Sequence, residues 1–321
     1  MLRATYLRRW CTGLIGLLIA CGTASTGVAQ NYPNQPLRWI VTTGPGGAFN
    51  AIARGLAPSL SRHLDVNVVV ENIPGPDGYN RIYSAKPDGY TIGIGDPVGE
   101  FGQAVLSPVP YRLKEMTWIG RVNAASNLAV ASKKSGVTTF EQLKASTNPV
   151  RVATFGVNAP LIQMIILAEA TGLKITTVNF RAPSDVIFGV VRGDADVGHL
   201  GMQLWTKHIE AGNVAPLFVW DASRDPRMPN VPSLRDLGHP VLASMMTQRS
   251  IIAPPNVPAD IQRILIAALQ KTVSEGDGLA FLNRANFENN PLWGAEYQKL
   301  VVEIESTVEK HKDVLKKFTT Q

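Results

Sequence analysis

The sequence has 321 residues, 45% hydrophobic and 17% charged, which excludes a disordered chain and leaves room for two hydrophobic cores. Its formal charge of +6 includes Arg3, Arg8 and Arg9, which stand before residue 30 with no acid among them. Without that segment the excess is +3, too small and too scattered to argue for a nucleic-acid partner.

Residues 14–20 are apolar, too few to span a bilayer as a helix but suited to the core of an export signal. Residues 1–29 therefore read as a signal peptide. Gly27, Val28 and Ala29 offer the small residues needed for cleavage before Gln30, whereas Leu18, Ile19, Ala20 and Cys21 resemble a lipobox in which Cys21 carries lipid. Either outcome sends the chain to the periplasm; the cleaved form is favoured. Cys11 and Cys21 are the only cysteines, so the remainder has neither a disulfide nor a thiol catalyst.

Beyond this segment, residues 37–42 read as a strand, and Ile52, Leu56, Leu60 and Leu64 have the spacing of a helix over 48–63. A β-branched run at 66–70, a helix through 82–85 and a strand within 87–96 follow. A second set begins after a run at 128–132. It comprises a helix at 140–145, a strand at 150–155, a helix at 161–171 stopped by Gly172, a strand at 175–180, a helix at 185–192 and a strand at 195–200. Strands alternating with helices are the grammar of parallel α/β sheets. The last seventy or so residues read as mostly helical, with "EKHKDVLKK" as a solvated face.

The loop "VTTGPGGAFNAIARGLA" joins the first strand to the first helix. A P-loop requires Lys and Ser or Thr directly after its glycines, where Phe49 and Asn50 stand. The dinucleotide fingerprint fails because Phe49 takes the place of its third glycine, and "GIGDPVG" at 93–99 is one residue too long. No nucleotide cofactor is expected. What remains is a helix N-terminus with free N–H groups and a positive dipole end, approached closely through glycine, which suits a carboxylate as well as a phosphate. "ATFGVNAP" at 153–160 puts a similar loop at the equivalent point of the second set, and ligands of open α/β sheets bind at such strand ends.

Catalytic patterns are absent: there is no H-E-x-x-H, no G-x-S-x-G and no paired-cysteine zinc motif. His63, His199, His208, His239 and His311 lack ligand spacing, and no metal is expected. Asp194 and Asp196 in "RGDADVG" read as a turn and strand start rather than a carboxylate pair, and Arg181 could face the cleft as a counter-charge.

Together, "YPNQPLRWIVTTGPGGAFNAIAR", "VVVENIPGPDG", "KPDGYTIGIG", "RGDADVG", "SRDPRMPNVPSLRDLG" and "IAPPNVPADIQRILIAAL" resemble the Bug or TctC-like extracytoplasmic solute receptors of tripartite tricarboxylate transport systems. The resemblance implies an α/β fold of the two-lobed periplasmic binding protein type (type II, Venus-flytrap), each lobe a mainly parallel sheet flanked by helices. It implies one lobe from residues 30–131 with 251–321 and another from 132–250. It also implies a small carboxylate held by backbone N–H groups and water, and a membrane permease as partner. The contact set so implied is Gly46, Gly47, Ala48, Phe49 and Asn50 from one lobe and Thr154, Phe155, Gly156, Val157 and Asn158 from the other, with Arg181 and Asp196 as further candidates.

The chain departs from the family pattern where Asn50 replaces a common Asp, where Leu161 or Ile162 stands in place of a His, and where Gly189 replaces another Asp. Phe49 and Phe155 are then available as apolar walls, and an aromatic or longer-chain carboxylate is expected rather than an amino acid. An orphan sensor acting through a membrane partner, and a hydrolase or isomerase using Asp194 or Asp196, are the alternative readings.

Overall fold

Strand β1 (Leu37–Val41) buries every residue except Arg38, and helix α1 (Ala48–Leu64) buries Ile52, Leu56, Leu60 and Leu64 on one face, as their spacing predicts. In the computed structural model, which describes residues 32–319, these open a chain of alternating elements. The signal segment, with Cys11 and Cys21, lies outside the described residues. Next come β2 (Val68–Asn72), α2 (Pro76–Tyr83), β3 (Thr91–Gly95), α3 (Pro97–Leu106) and β4 (Thr117–Ala125). A single residue, Ser126, separates β4 from β5 (Asn127–Ser132), which is followed by α4 (Phe140–Lys144), β6 (Val150–Thr154), α5 (Ala159–Thr171) and β7 (Ile175–Asn179). Then α6 (Pro183–Arg192), β8 (Val197–Gly201), α7 (Thr206–Glu210) and β9 (Val214–Trp220) precede the returning β10 (Thr247–Ala253). The chain ends with α8 (Ala259–Ser274), α9 (Gly276–Arg284), β11 (Leu292–Trp293), α10 (Gly294–Lys310) and α11 (Lys312–Thr319).

Two sheets result, one in the order β11-β4-β10-β3-β1-β2 and the other β7-β6-β8-β5-β9. They are mixed rather than mainly parallel. The strands within each βαβ unit pair in parallel, but β10 is antiparallel to both β3 and β4, and β5 is antiparallel to both β8 and β9. These antiparallel strands enter each sheet directly from the other one, without the crossover helix that a parallel pair needs. The chain leaves the first sheet at Ser126 and rejoins it at Thr247, a few residues earlier at each point than the expected divisions after 131 and 250. β4 and β10 escape sequence reading because they are buried on both faces and show no alternation.

One hydrophobic core runs through residues of both sheets, including Ile40, Tyr79, Val152 and Ile165. Its seam lies between α3 and α5. There Gly102 faces Ile162, and a Cβ built on Gly99 would come within 3.1 Å of the Ala159 nitrogen, so the two helices meet backbone to backbone. α11 lies against both α3 and α5. The lysines of its charged run are exposed, as the sequence predicts, but Leu315 is fully buried beneath them.

Beside this seam is a polar knot. Gln163 on α5 is completely buried; its Oε1 accepts from Asn127 Nδ2 at 2.8 Å and lies 2.7 Å from His199 Nε2, while its Nε2 donates to the Met245 carbonyl. Asn127 Nδ2 also reaches Thr247 Oγ1 at 2.9 Å. An amide oxygen can only accept, so His199 carries its proton on Nε2. Burial pushes the pKa of His199 down to about 3, which keeps the ring neutral. Replacing Gln163 by Leu strands the His199 and Asn127 donors, and an expected loss of about 2–4 kcal/mol in unfolding free energy is measurable by urea titration.

Candidate ligand site

The first glycine loop leaves the C-terminal end of β1 and opens α1. Gly46 sits at φ 87°, a conformation that disfavours any side chain, and Gly47 caps α1 without a side-chain hydrogen bond. The first turn has no acidic residue. Among the described residues, the N–H groups of Ala48, Phe49 and Asn50 have no acceptor, and a Cβ on Gly44, Gly46 or Gly47 would meet nothing within 4 Å. The loop therefore presents bare donors at the positive end of the helix dipole. A side-chain brace holds it. Arg54 donates from Nε to Asn50 Oδ1 at 3.0 Å and from Nη2 to Asn72 Oδ1 at 2.8 Å, and Asn72 Nδ2 donates to the Thr43 carbonyl at 3.0 Å.

The second loop, between β6 and α5, is braced by side chains. Thr154 Oγ1 donates to the Gly156 carbonyl at 3.2 Å, and the Gly156 N–H donates to Asn179 Oδ1 at 2.9 Å. The Asn158 side chain accepts from the Leu161 N–H at 3.0 Å and donates to the Phe155 carbonyl at 3.0 Å. Phe155 packs on the core of the second sheet, and Val157 on the core shared by both sheets. The two loops, alike in sequence, both leave N–H groups without an acceptor among the described residues, those of Val157, Asn158 and Ala159 in the second, and differ in that a side chain caps only the second helix.

Arg181 is exposed just past β7, whose end is tied to the loop by the Phe180 N–H donating to Thr154 O, and it has no ion-pair partner among the described residues. Asp196 is not brought to this end. It precedes β8 at the opposite end of the sheet, where it pairs with Arg151 at 2.6 Å and its N–H donates to the Arg151 carbonyl. Asp194 pairs with Arg192 at 2.7 Å. Both carboxylates are thus held by exposed arginines, which leaves neither free for the hydrolase or isomerase reading. At the departures from the family pattern, Ile162 fills the α3–α5 seam and the Phe180 ring occupies the space beside Gly189.

The structure adds residues that the sequence reading passed over. Arg249, on β10, is 5% exposed, and its guanidinium carbon lies 5.9 Å from the centre of the Phe49 ring. Among the described residues, neither its Nε nor its Nη1 has a hydrogen-bond partner. Its register partner on β4, Asn123, is 1% exposed with both amide atoms unbonded. Nothing in "TQRSIIA" marked Arg249, which stands there between Gln248 and Ser250 as one polar residue among several.

Asp96 caps α3, accepting from the Val98 N–H at 3.3 Å and from the Gln248 N–H at 3.2 Å. Burial pushes its pKa up to about 7 against the pull of those N–H groups and of Arg249. Glu100, one turn later, is pushed up to about 8 by burial and by the charge on Asp96. Both folded-state values lie above the unfolded ones, so the native state holds protons that the unfolded chain releases. Their stabilising contribution is complete below the ordinary carboxylate range and is lost progressively as pH rises from there to about 7 for Asp96 and about 8 for Glu100. His199 has the opposite sign and loses stability only below its ordinary value. The melting temperature should therefore fall between about pH 6 and pH 8, and more shallowly in Glu100→Gln, as differential scanning calorimetry would show.

Comparison with known proteins agrees with this architecture. The model of the tripartite tricarboxylate transporter family receptor, TctC, matches residues 52–319. Protein BugT of Bordetella pertussis is 29% identical over 244 residues, covering 71% of this chain and 73% of its own. A TctC solute binding protein from Polaromonas superposes with a TM-score of 0.74 at 20% identity, covering 89% of this chain and 99% of its own. MatC from Rhodopseudomonas palustris, solved with bound malate, superposes with a TM-score of 0.68 at 21% identity, covering 88% of this chain and all of its own. The match over residues 52–319 begins within α1 and takes in every later strand and helix of both sheets, and the chain belongs to the tripartite tricarboxylate transporter receptor family.

Proposed function

We propose that this chain is a periplasmic receptor that captures a small carboxylate between two lobes and delivers it to the membrane permease of a tripartite tricarboxylate transport system. On this reading residues 1–29 direct export, with cleavage before Gln30 or lipidation of Cys21. One lobe carries the sheet containing β1 and β10, and the other carries the sheet containing β5 and β6. Ligand closure would shift an open–closed equilibrium through the strands that cross at Ser126 and Thr247.

The observation that carries the reading is the uncapped start of α1, where the Ala48, Phe49 and Asn50 N–H groups have no acceptor beside an open glycine loop. A carboxylate bound there gains charge-assisted hydrogen bonds of roughly 1.5–3 kcal/mol each and favourable dipole interaction. Asn50 supports an acidic ligand because a carboxylate at that position would repel one. The second loop adds the N–H groups of Val157 and Asn158 and apolar contact through Phe155 and Val157, and Arg181, past β7, adds a long-range positive charge. Malate bound to MatC is consistent with this ligand class.

A thermal-shift panel of mono-, di- and tricarboxylates with their matched amides tests the reading. A ligand at about a hundred times its dissociation constant adds roughly 2.7 kcal/mol to stability. At least one acid should raise the melting temperature while its amide does not. A panel in which only the neutral amides act would refute the carboxylate site.

A further inference from the structure

Arg249 is the charge that the loop chemistry leaves unexplained. Its Nε and Nη1 are enclosed by protein without an acceptor, and the two amide atoms of Asn123 are in the same condition. Arg249 and Asn123 are register partners beside a bulge in the β10–β4 ladder, and directly paired residues of antiparallel strands project to one face of the sheet. The Phe49 ring covers the guanidinium.

A guanidinium cannot shed its proton, and an enclosed charge with unmade hydrogen bonds is costly unless an anion reaches it. Asp96 and Glu288 are near enough to attract Arg249, but neither forms an ion pair with it, and Asp96 already accepts two backbone N–H bonds. Nη2 is absent from the enclosed, unbonded atoms and has no bonded partner, so it is the nitrogen that remains accessible. Phe49 joins this place to the glycine loop, since its backbone N–H belongs to the bare first turn of α1 while its ring lies over the guanidinium.

Resting on the reading of α1 as the holder of one carboxylate, we propose that Arg249 and Asn123 form a second anion subsite, which takes the far carboxylate of a dicarboxylate ligand. Arg249 supplies the charge, the Asn123 amide donates to a second oxygen, and the Phe49 ring packs along the methylene chain between the two ends. The ligand class is thereby an unbranched dicarboxylate, whose apolar middle suits the aromatic wall and whose ends suit the two donor sets.

Calorimetric titration of the purified chain with succinate, adipate and suberate, against butyrate, hexanoate and octanoate, tests this. At least one diacid should bind about 10- to 100-fold more tightly than its matched monoacid. Arg249→Gln should abolish that preference without lowering the melting temperature of the ligand-free protein, because it removes an unpaired buried charge. Asn123→Asp supplies an internal carboxylate to the same guanidinium. It should raise the ligand-free melting temperature and also abolish the preference. Equal binding of diacids and monoacids by the parent chain, or a preference that survives both substitutions, overturns the subsite and leaves the α1 reading standing. A parent chain that binds neither class overturns both.

Discussion

The hydrogen bonds converging on Gln163 fix how the two sheets meet. Asn127 begins the strand that enters the second sheet, Thr247 begins the strand that returns to the first, and Gln163 on α5 bonds to the Asn127 side chain that touches both. A buried amide network of this kind is favourable only when its members are satisfied together, so it specifies one arrangement of the crossing strands. The close approach of α3 and α5 over Gly99 and Gly102 follows from that arrangement. The strand ends of β1, β3 and β6 are thereby gathered around a common junction, with the lone charge of Arg249 at its edge.

The two glycine-bearing loops illustrate how similar local sequences acquire different chemistry. In the second loop Asn158 caps its helix and Asn179 takes the Gly156 N–H, while the N–H groups of Val157, Asn158 and Ala159 have no acceptor among the described residues. In the first loop the cap is Gly47, with no side chain to offer, and the nearest polar residues are turned away into the Asn50–Arg54–Asn72 brace.

Local patterning made much of the fold readable. The four leucine and isoleucine positions of α1, the Gly172 stop of α5 and the β-branched strands of both βαβ units all announce themselves through periodicity or capping. What stayed hidden depends on tertiary context. β4 and β10 are buried on both faces and have no alternation to detect, so the crossing points were displaced by several residues. The glycine loop could be read as a candidate because backbone geometry follows from glycine itself. Arg249 and Asn123 could not, because their proximity arises from strand register 126 residues apart in the chain. Asp196 illustrates the converse: its motif is conspicuous, yet parallel pairing of β6 and β8 carries it to the far end of the sheet.

The strand order also governs how the molecule is assembled. The second sheet draws all its strands from one continuous stretch, Asn127 to Trp220, whereas the first cannot be completed until β10 inserts between β3 and β4. A chain emerging from its N-terminus therefore holds β1, β2 and β3 with the inner edge of β3 unpaired until more than a hundred further residues have followed. An open parallel edge held that long is a template for intermolecular pairing. Nucleation is then favoured in the later-made half, with the earlier-made half closing last, so its exposed edge is where aggregation competes with folding.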